Sequence, residues 1–382
     1  MDAFYASVEL LRYPDLAGKP VVIGGGRRHQ PELLPDGTRR YATLAGYVGR
    51  GVATTATYAA RAFGIHSGIG LMKAAKLAPD TILLPTDFDE YRRCSRLFKA
   101  AVRELAPVIE DRGIDEIYID FTGIPGVEAD HGESLARAIK QRVREATGLT
   151  CSIGVTPNKL LSKIASELDK PDGLTILREA DIPTRIWPLP AKRINGIGPK
   201  AAARLESELG IRTIGELAAA DPAVLVSHFG RHGGEWLHRV AQGRDERPVV
   251  TEQEVVSISR ETTFDRDLHA RRDRAELSAI FTRLCEQLAA DMQRKNLAGR
   301  TIGLKLRFDD FRTVTRAQTL PAAVNDFAAI RRAAGQCLKR VPLERRLRLL
   351  GVRASALCPA DARPDTAAQP FTPDLFDAGQ LG

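Results

Sequence analysis

The stretch Gly113-Ile114-Asp115-Glu116-Ile117-Tyr118-Ile119-Asp120-Phe121 places two adjacent carboxylates inside an otherwise apolar segment. Its apolar and β-branched residues favour a strand. Neighbouring strand residues point to opposite faces, so Asp115 and Glu116 do not both face solvent. A buried carboxylate needs a cation, hydrogen bonds or a raised pKa, and oxygen ligands suit Mg²⁺ or Mn²⁺. The pair therefore predicts either a divalent metal site or an acidic turn that opens an ordinary strand.

The composition is that of an ordinary globular protein with room for about two to four domains. The chain has 382 residues, of which 43% are hydrophobic and 27% charged. No apolar run approaches the roughly 20 residues of a membrane span, so we expect no membrane partner. The five cysteines are scattered, odd in number and without metal-ligand spacing. They indicate reduced thiols in a cytoplasmic protein.

The positive charge is concentrated in one segment. The formal net charge is +8, and residues 247–353 hold 22 Lys and Arg against 13 Asp and Glu, a net of +9. The remainder of the chain therefore sums to −1. A single basic cluster is usually a solvated face, but a whole segment that carries the excess favours binding to a phosphate backbone.

Five further motifs accompany the acidic pair in a fixed order along the chain. They are Met1-Asp2-Ala3-Phe4-Tyr5-Ala6-Ser7-Val8-Glu9, Thr57-Tyr58-Ala59-Ala60-Arg61-Ala62-Phe63-Gly64, Pro157-Asn158-Lys159-Leu160-Leu161-Ser162-Lys163-Ile164-Ala165-Ser166, Asp169-Lys170-Pro171-Asp172-Gly173 and Asn195-Gly196-Ile197-Gly198-Pro199-Lys200. In this order, the motifs resemble those of the Y-family translesion DNA polymerases, most closely of the bacterial DNA polymerase IV type. The resemblance runs from residue 1 to about residue 357. It favours the metal-site interpretation of Asp115 and Glu116.

The resemblance implies an α+β multidomain fold, a right-hand-like polymerase. Its expected parts are a palm at 1–18 and 79–175, small fingers at 19–78 with an inserted loop at 26–49, a thumb at 176–242 with a helix-hairpin-helix at 193–217, a linker at 243–254, an α/β little finger at 255–357 and a disordered tail at 358–382. In the little finger the pattern predicts strand, helix, strand, strand, helix and strand in that order.

The implied activity is template-directed, low-fidelity DNA synthesis from dNTPs across damaged DNA, by two-metal nucleotidyl transfer. Two Mg²⁺ ions, or Mn²⁺, would be held by Asp115 and Glu116. A monomer that binds primer–template DNA is expected. Two alternatives are a catalytically inactive Y-family-like scaffold in a DNA damage tolerance complex, and a DNA-binding protein built on the hairpin and the basic segment alone.

The N-terminus departs from the family pattern. Family members begin with a short apolar strand and place an Asp, the first metal ligand, two positions before the residue that matches Asp2. This sequence begins inside that motif, and Asp2 matches the second acid, which is not the main ligand. We expect a start site placed too late or a truncated chain. We also expect residues 1–382 to bind DNA but to extend primers poorly.

The resemblance also implies a nucleotide site. Tyr5 matches the steric gate, an aromatic ring that would clash with the 2′-hydroxyl of a ribonucleotide. Phe4 matches its aromatic neighbour, and both residues could instead be core aromatics. Tyr58, Arg61 and Lys170 match residues that hold the triphosphate. The alternative for Lys170 is plain surface charge.

The remaining expected contacts are with DNA and a sliding clamp. The glycines of the hairpin let its backbone approach a phosphate. Near the C-terminus, Thr372-Pro373-Asp374-Leu375-Phe376 resembles the clamp-binding peptide of bacterial polymerases, with Leu375 and Phe376 as its apolar anchors. A plain disordered tail is the alternative. The predicted DNA contacts are Gly196, Gly198 and Lys200 in the hairpin, and Ser257, Ser259, Arg260, Arg307, Arg312 and Arg316 in the little finger.

Overall fold

The computed structural model describes residues 1–252 and 254–362. The chain divides into two compact units, of which the first runs from Met1 to Glu252 and the second begins at Gln253. Among the described residues, no helix has the combination of length and apolar character that crossing a bilayer requires.

The first unit mixes helices with short strands. Its helices are α1 (Phe4–Arg12), α2 (Tyr58–Arg61), α3 (Leu71–Leu77), α4 (Phe88–Leu105), α5 (Glu133–Thr147), α6 (Lys159–Ala165), α7 (Pro199–Leu209), α8 (Ile214–Ala219) and α9 (Pro222–Ala241). Its strands are β1 (Val21–Gly24), β2 (Glu32–Leu33), β3 (Arg39–Arg40), β4 (Ala42–Thr43), β5 (Ala53–Ala56), β6 (Ile82–Leu84), β7 (Ile109–Asp111), β8 (Ile117–Ile119), β9 (Ile153–Val155) and β10 (Leu174–Ile176).

Two amphipathic helices support the β7–β8 pair. Helix α4 begins after Asp87, whose side chain caps it by accepting a hydrogen bond from the Glu90 amide. Apolar residues recur at helical spacing over 88–107 and 133–146, and the stripes that they form pack α4 on α5. Apolar residues of both helices and of β7 form one buried cluster that includes Phe98, Val102, Ile109, Ile139 and Val143. Ile117 and Ile119 of β8 pack against this cluster, so the two helices support the antiparallel β7–β8 pair.

Three features of the first unit differ from the sequence prediction. Asp115 and Glu116 lie in the turn between β7 and β8 and not within a strand, because Gly113 takes a φ of +139° and breaks the extended segment. Strand β6 pairs in parallel with β1, so the predicted boundary at residue 78 cuts through the four-stranded sheet β4-β6-β1-β5. The predicted loop at 26–49 contributes β4 to this sheet and buries Leu44.

The helix-hairpin-helix prediction at 193–217 agrees with the structure. The segment turns through the hairpin into α7 and then α8, and residues 192–217 share a core with α6 and α9. Gly196 has a φ of +111°, and a Cβ there would lie 2.8 Å from the Trp236 ring of α9. Only glycine therefore fits at the tip of this hairpin.

The second unit has the predicted order of elements, strand, helix, strand, strand, helix and strand. It consists of β11 (Ser257–Leu268), α10 (Arg274–Arg294), β12 (Leu297–Phe308), β13 (Thr313–Val324), α11 (Phe327–Leu338) and β14 (Leu347–Pro359). The strands form an antiparallel sheet in the order β11-β14-β12-β13. Helices α10 and α11 pack on one face through a core that includes Phe281, Ile302, Leu304, Ile330 and Val352.

The polar segment predicted as a linker at 243–254 is bound to the first unit along its first half. Lys159 Nζ donates hydrogen bonds to Glu110 Oε2 at 2.6 Å and to the Pro248 carbonyl at 2.7 Å. Glu110 also accepts from the Val250 amide at 3.0 Å. Near the start of the linker, Asp245 Oδ2 accepts a hydrogen bond from the Leu160 amide at 3.0 Å. Glu110 and Lys159 are both buried, so this ion pair anchors the linker as far as residue 250.

Lys159→Met tests this anchor, because it keeps the alkyl stem but leaves Glu110 buried without its main cation. We expect the free energy of unfolding to fall by about 3–5 kcal/mol, as for other buried ion pairs that lose one partner. Denaturant unfolding of the full chain measures this. The matched control is Arg112→Met, since Arg112 contacts the same carboxylate from an exposed position and should cost less than about 1 kcal/mol. Equal losses for the two variants would contradict the assignment.

Candidate active site

A cleft of about 1180 Å³ opens in the first unit, and the acidic pair lines it. Met1, Lys163 and Lys170 line the same cleft. Residues that are distant in the sequence thus share one cleft with Asp115 and Glu116.

Hydrogen bonds to its backbone hold the turn that carries the pair. Lys99 Nζ donates to the Gly113 carbonyl at 2.6 Å and to Asp111 Oδ2 at 2.7 Å. The Met1 amine donates to the backbone carbonyl of Asp115 at 2.8 Å. These contacts leave both carboxylates of the pair available to the cleft.

The two carboxylates have different environments. Burial raises the pKa of Asp115 above its ordinary value. Burial acts in the same direction on Glu116, but the hydrogen bond from Lys163 and its charge outweigh it and hold the pKa of Glu116 below the ordinary value. The positive charge of Lys170 acts on both acids. The Met1 amine, Lys163 and Lys170 thus all act against the negative charge of the acidic pair.

Tyr5 and Phe4, adjacent in α1, have different surroundings. The ring of Tyr5 stacks on Tyr91 with centroids 4.4 Å apart and meets the edge of Phe88 at 5.9 Å. Burial, and secondarily the charge of Asp115, raise the pKa of the Tyr5 hydroxyl, so its ring lies within electrostatic reach of the pair. Phe4 is only 3% exposed and packs in the core against Tyr91 and Phe98. Phe4 thus packs in the core, whereas the ring of Tyr5 is partly exposed.

Tyr58 and Arg61 form a second polar group, apart from the residues that line the cleft. The Tyr58 hydroxyl is buried and has no hydrogen-bond partner among the described residues. Burial raises its pKa, the charges of Asp2 and Glu167 act in the same direction, and the charge of Arg61 acts against them. The Arg61 guanidinium lies 4.8 Å from the centre of the Tyr58 ring. An unpartnered buried hydroxyl is the kind of group that a ligand satisfies.

Lys170 connects these two groups. Its Nζ donates to Glu167 Oε1 at 2.6 Å, and the charge of Glu167 acts on Tyr58.

Asp2 is only 2% exposed and accepts hydrogen bonds from Thr150, from Ser152 and from the Asp172 amide. Asp2 is therefore satisfied within the fold and not oriented as a ligand.

The donor set fits a divalent ion that also binds substrate oxygens. Across residues 1–252 and 254–362, no group of three or more His, Cys, Asp or Glu side chains is placed to hold a metal. Two adjacent carboxylates at an open cleft are nevertheless what Mg²⁺ uses when phosphates and water complete its shell. Asp115 and Glu116 supply these two carboxylates.

The hairpin residues lie beside a second cleft, of about 670 Å³, in the same unit. Gly198 precedes Pro199 at the start of α7, and Lys200 is exposed in the first turn of this helix. Gly196 lines this cleft, together with basic residues that the sequence analysis did not single out: Arg112, Arg239 and Arg244. These three arginines come from separate segments of the chain, so their proximity could not be recognised from the sequence.

Strand register divides the predicted DNA contacts of the second unit between two faces. Ser259 lies opposite Arg353, and Arg307 lies opposite Thr313, on the face away from the helices. Arg260 lies opposite the buried Val352 and forms an ion pair with Asp291 of α10.

The other predicted residues of this unit divide in the same way. Ser257 shares the face of Ser259, whereas Arg316 lies opposite the buried Leu304, on the helix side of the edge strand. Arg312 lies in the β12–β13 turn, with its guanidinium 5.2 Å from the Phe308 ring centre. Arg260 and Arg316 thus lie on the opposite face of the sheet from Ser257, Ser259 and Arg307. Two cations of the helix-free face were missed, although the period-2 pattern indicates them: Lys305 and Arg353.

Leu375 and Phe376 lie outside the described residues, so the clamp-binding peptide stays a prediction.

Comparisons with known proteins match nearly the whole chain. Family models match residues 1–167 (impB/mucB/samB family), 189–244 (DNApol eta/Rev1, HhH motif) and 255–367 (impB/mucB/samB family C-terminal domain). The DNA polymerase IV of Methanoculleus marisnigri is 39% identical over 94% of this chain and 92% of its own length. That of Alkalilimnicola ehrlichii is 38% identical over 97% of this chain and 96% of its own length.

Solved structures agree with these matches. A Y-family DNA polymerase chimera of Dbh and Dpo4 has a TM-score of 0.76 at 26% identity and covers 93% of this chain and 96% of that chain. The insertion ternary complex of Dbh DNA polymerase has a TM-score of 0.62 with the same coverage and identity.

Proposed function

Because this chain belongs to the Y-family DNA polymerases of the DNA polymerase IV type, we propose that Asp115 and Glu116 are its catalytic metal-binding pair. The protein is a DNA-directed DNA polymerase of translesion synthesis that binds DNA and dNTPs and uses divalent metal ions. The observation that supports the assignment is the meeting of both carboxylates with Lys163 and Lys170 at one cleft. The inactive-scaffold alternative has no support in the comparisons, and the match at residues 1–167 argues against a binding module built on the hairpin and basic segment alone.

The metal in our proposal is a pair of Mg²⁺ ions, with Mn²⁺ as a substitute. Bound ions supply the charge that lowers the pKa of the primer 3′-hydroxyl and stabilises the leaving pyrophosphate. The carboxylates of Asp115 and Glu116 would be the protein's oxygen ligands for these ions. Lys163 neutralises Glu116 until substrate arrives, because two bare carboxylates at neighbouring positions repel each other.

The cationic and hydroxyl groups around the cleft bind the incoming nucleotide. We assign the triphosphate to Lys170 and Arg61, whose charges offset those of the phosphates. The unpartnered hydroxyl of Tyr58 donates to a phosphate oxygen. Tyr5 excludes the 2′-hydroxyl, since Tyr91 and Phe88 support its ring.

DNA is bound without reading its sequence. In the first unit, Gly196, Gly198 and Lys200 approach a phosphate through the free amides at the start of α7. In the second unit, the face of the sheet away from the helices presents small polar side chains and cations that bind the phosphate backbone of DNA. The residues assigned there are Ser257, Ser259, Lys305, Arg307 and Arg353.

Three finer proposals concern the setting of the enzyme. We propose a monomer, a cytoplasmic location and docking of Leu375 and Phe376 on a sliding clamp. The cytoplasmic location is supported by the five cysteines, which are all free thiols.

Glu116→Gln tests the metal-binding pair, because it keeps the shape of the side chain and removes its charge. Primer extension with Mg²⁺ should fall by about 10²-fold or more, as when one stabilising group of a transition state is lost. Glu128→Gln is the control, since Glu128 is an exposed acid that lines the same cleft. Extension rates within about twofold of the parent for both variants would exclude Glu116 from the chemistry.

Tyr5→Ala tests sugar discrimination. Without the ring, incorporation of rNTP relative to dNTP should rise by about tenfold or more, because steric selection at a pocket is of this size. Single-nucleotide extension with each substrate gives the ratio. Tyr5→Phe keeps the ring and should keep the discrimination. An unchanged ratio in Tyr5→Ala would leave Tyr5 with only a packing role.

Arg307→Ala and Arg316→Ala test which sheet face binds DNA. Loss of a phosphate contact at Arg307 should weaken binding and reduce the slope of log affinity against log salt by about 1. Arg316→Ala removes the same charge from the helix side and should leave the slope unchanged. Fluorescence anisotropy over a range of salt concentrations measures both. A larger effect at Arg316 would assign the DNA to the opposite face.

A further inference from the structure

The segment that carries Lys170 is a tight turn, which we call the lysine turn (residues 169–173). At Gly173 a Cβ would lie 2.3 Å from the Asp169 carbonyl oxygen, so the two ends of the turn are in direct contact. Asp172 has a φ of +55°, in the left-handed region. The backbone of this turn therefore has one compact shape, which Asn, Asp or Gly adopts most readily at position 172.

Helix α5 binds the outer side of the lysine turn through Asp172. Lys140 Nζ donates to Asp172 Oδ1 at 2.6 Å, and Arg144 Nη2 donates to Oδ2 at 2.7 Å. Lys140 also donates to the carbonyls of Cys151 and Gly173, at 2.6 and 3.2 Å. The hydrogen bond from Lys140 lowers the pKa of Asp172, so the carboxylate stays charged. One ammonium thus joins α5, the segment before β9 and the turn.

The buried carboxylate of Asp2 binds the same turn from another direction. Asp2 Oδ2 accepts from the Asp172 amide at 2.9 Å. Its Oδ1 accepts from Ser152 Oγ at 2.7 Å, and Ser152 Oγ accepts from the Gly173 amide at 3.1 Å. Two consecutive amides of the lysine turn are therefore fixed by a group that is itself buried.

Lys170 is the residue of the lysine turn that lines the cleft. It lines the cleft with Asp115 and Glu116, two residues before the anchored Asp172. Its Nζ donates a hydrogen bond to Glu167 Oε1 at 2.6 Å, two residues beyond the end of α6. The long side chain of Lys170 can rotate about four bonds, but the position of its Cα is set by the anchors at residue 172.

We propose that Asp172 is a positioning residue for nucleotide binding, which fixes Lys170 in the cleft through its bonds to Lys140, Arg144 and Asp2. The substrate group it serves is the triphosphate of the incoming dNTP. The inference rests on the proposed function of Lys170. A cation held in place before the ligand arrives binds it with less loss of conformational entropy than one on a mobile turn.

The test is the dissociation constant of dNTP from a ternary complex with a dideoxy-terminated primer, which binds nucleotide without chemistry. A fluorescent template base reports binding to the full chain. Asp172→Asn keeps the shape and tolerates the positive φ, so the backbone of the turn is preserved while the charge is lost. Lys140→Met removes the partner from α5, and Lys140→Arg restores a cation that can reach the carboxylate.

We expect Asp172→Asn and Lys140→Met to raise the dNTP dissociation constant by about threefold to tenfold, with DNA affinity unchanged. Lys140→Arg should recover most of the parent value. The matched control is Arg137→Met, which breaks an exposed ion pair with Glu133 on the same helix and should have no effect.

A double-mutant cycle separates positioning from general structural damage. In a Lys170→Ala background, Asp172→Asn should add nothing further, because the residue it positions is already gone. Two outcomes would overturn the inference but leave the proposed role of Lys170 intact. One is that the losses from Asp172→Asn and Lys170→Ala add. The other is that Lys170→Ala raises the dissociation constant while Asp172→Asn leaves it at the parent value. A parent-like value in Lys170→Ala would instead refute the proposed role of Lys170, and the inference with it.

Discussion

The buried carboxylate of Asp2 is the interaction on which the geometry of the cleft depends. A charge that is 2% exposed is tolerated only when hydrogen bonds replace water, and Asp2 accepts three of them. The donors come from residues 150–152 and from the lysine turn, so one side chain ties the N-terminal segment to both. Helix α1 begins at Phe4, directly after this anchor, which sets where the Tyr5 ring stands relative to the acidic pair.

Two lysines of one helix show how burial separates a structural charge from one at the site. Lys159 and Lys163 are four residues apart on α6 and pair with two acids of the β7–β8 region, Glu110 and Glu116. The first pair is buried and also binds the linker carbonyl of Pro248, so losing either partner would leave an isolated charge in the interior. The second pair is partly exposed at the cleft, where the ammonium can leave Glu116 at low cost. The sequence motif presents both lysines as equivalent.

Local patterns were predictable, and contacts between distant segments were not. The periodicity of α4, α5 and the second unit, and the glycines of the hairpin, indicated the fold because each depends on nearby residues. The strand faces on which Arg260 and Arg316 lie could also have been predicted from the sequence. Ile258 and Val314 lie two residues before them, share their strand faces and point to the core side. The bond between Asp2 and the amide of Asp172 spans 170 positions, and the anchoring of the linker by Glu110 depends on a similar long-range contact. Neither leaves a periodic signal in one sequence.

The distribution of cations follows from a conflict between holding DNA and holding metal ions. At the proposed metal site, a cation close to Asp115 and Glu116 would compete with a divalent ion for the same oxygens, and Lys163 already binds one oxygen of Glu116. Phosphate-backbone affinity needs many cations, because each contact contributes through the counterions it releases. Further cations at the cleft would therefore weaken a metal site built on Asp115 and Glu116. The net charge of +9 in residues 247–353, against −1 elsewhere, places the excess of cations outside the segment that carries Asp115 and Glu116.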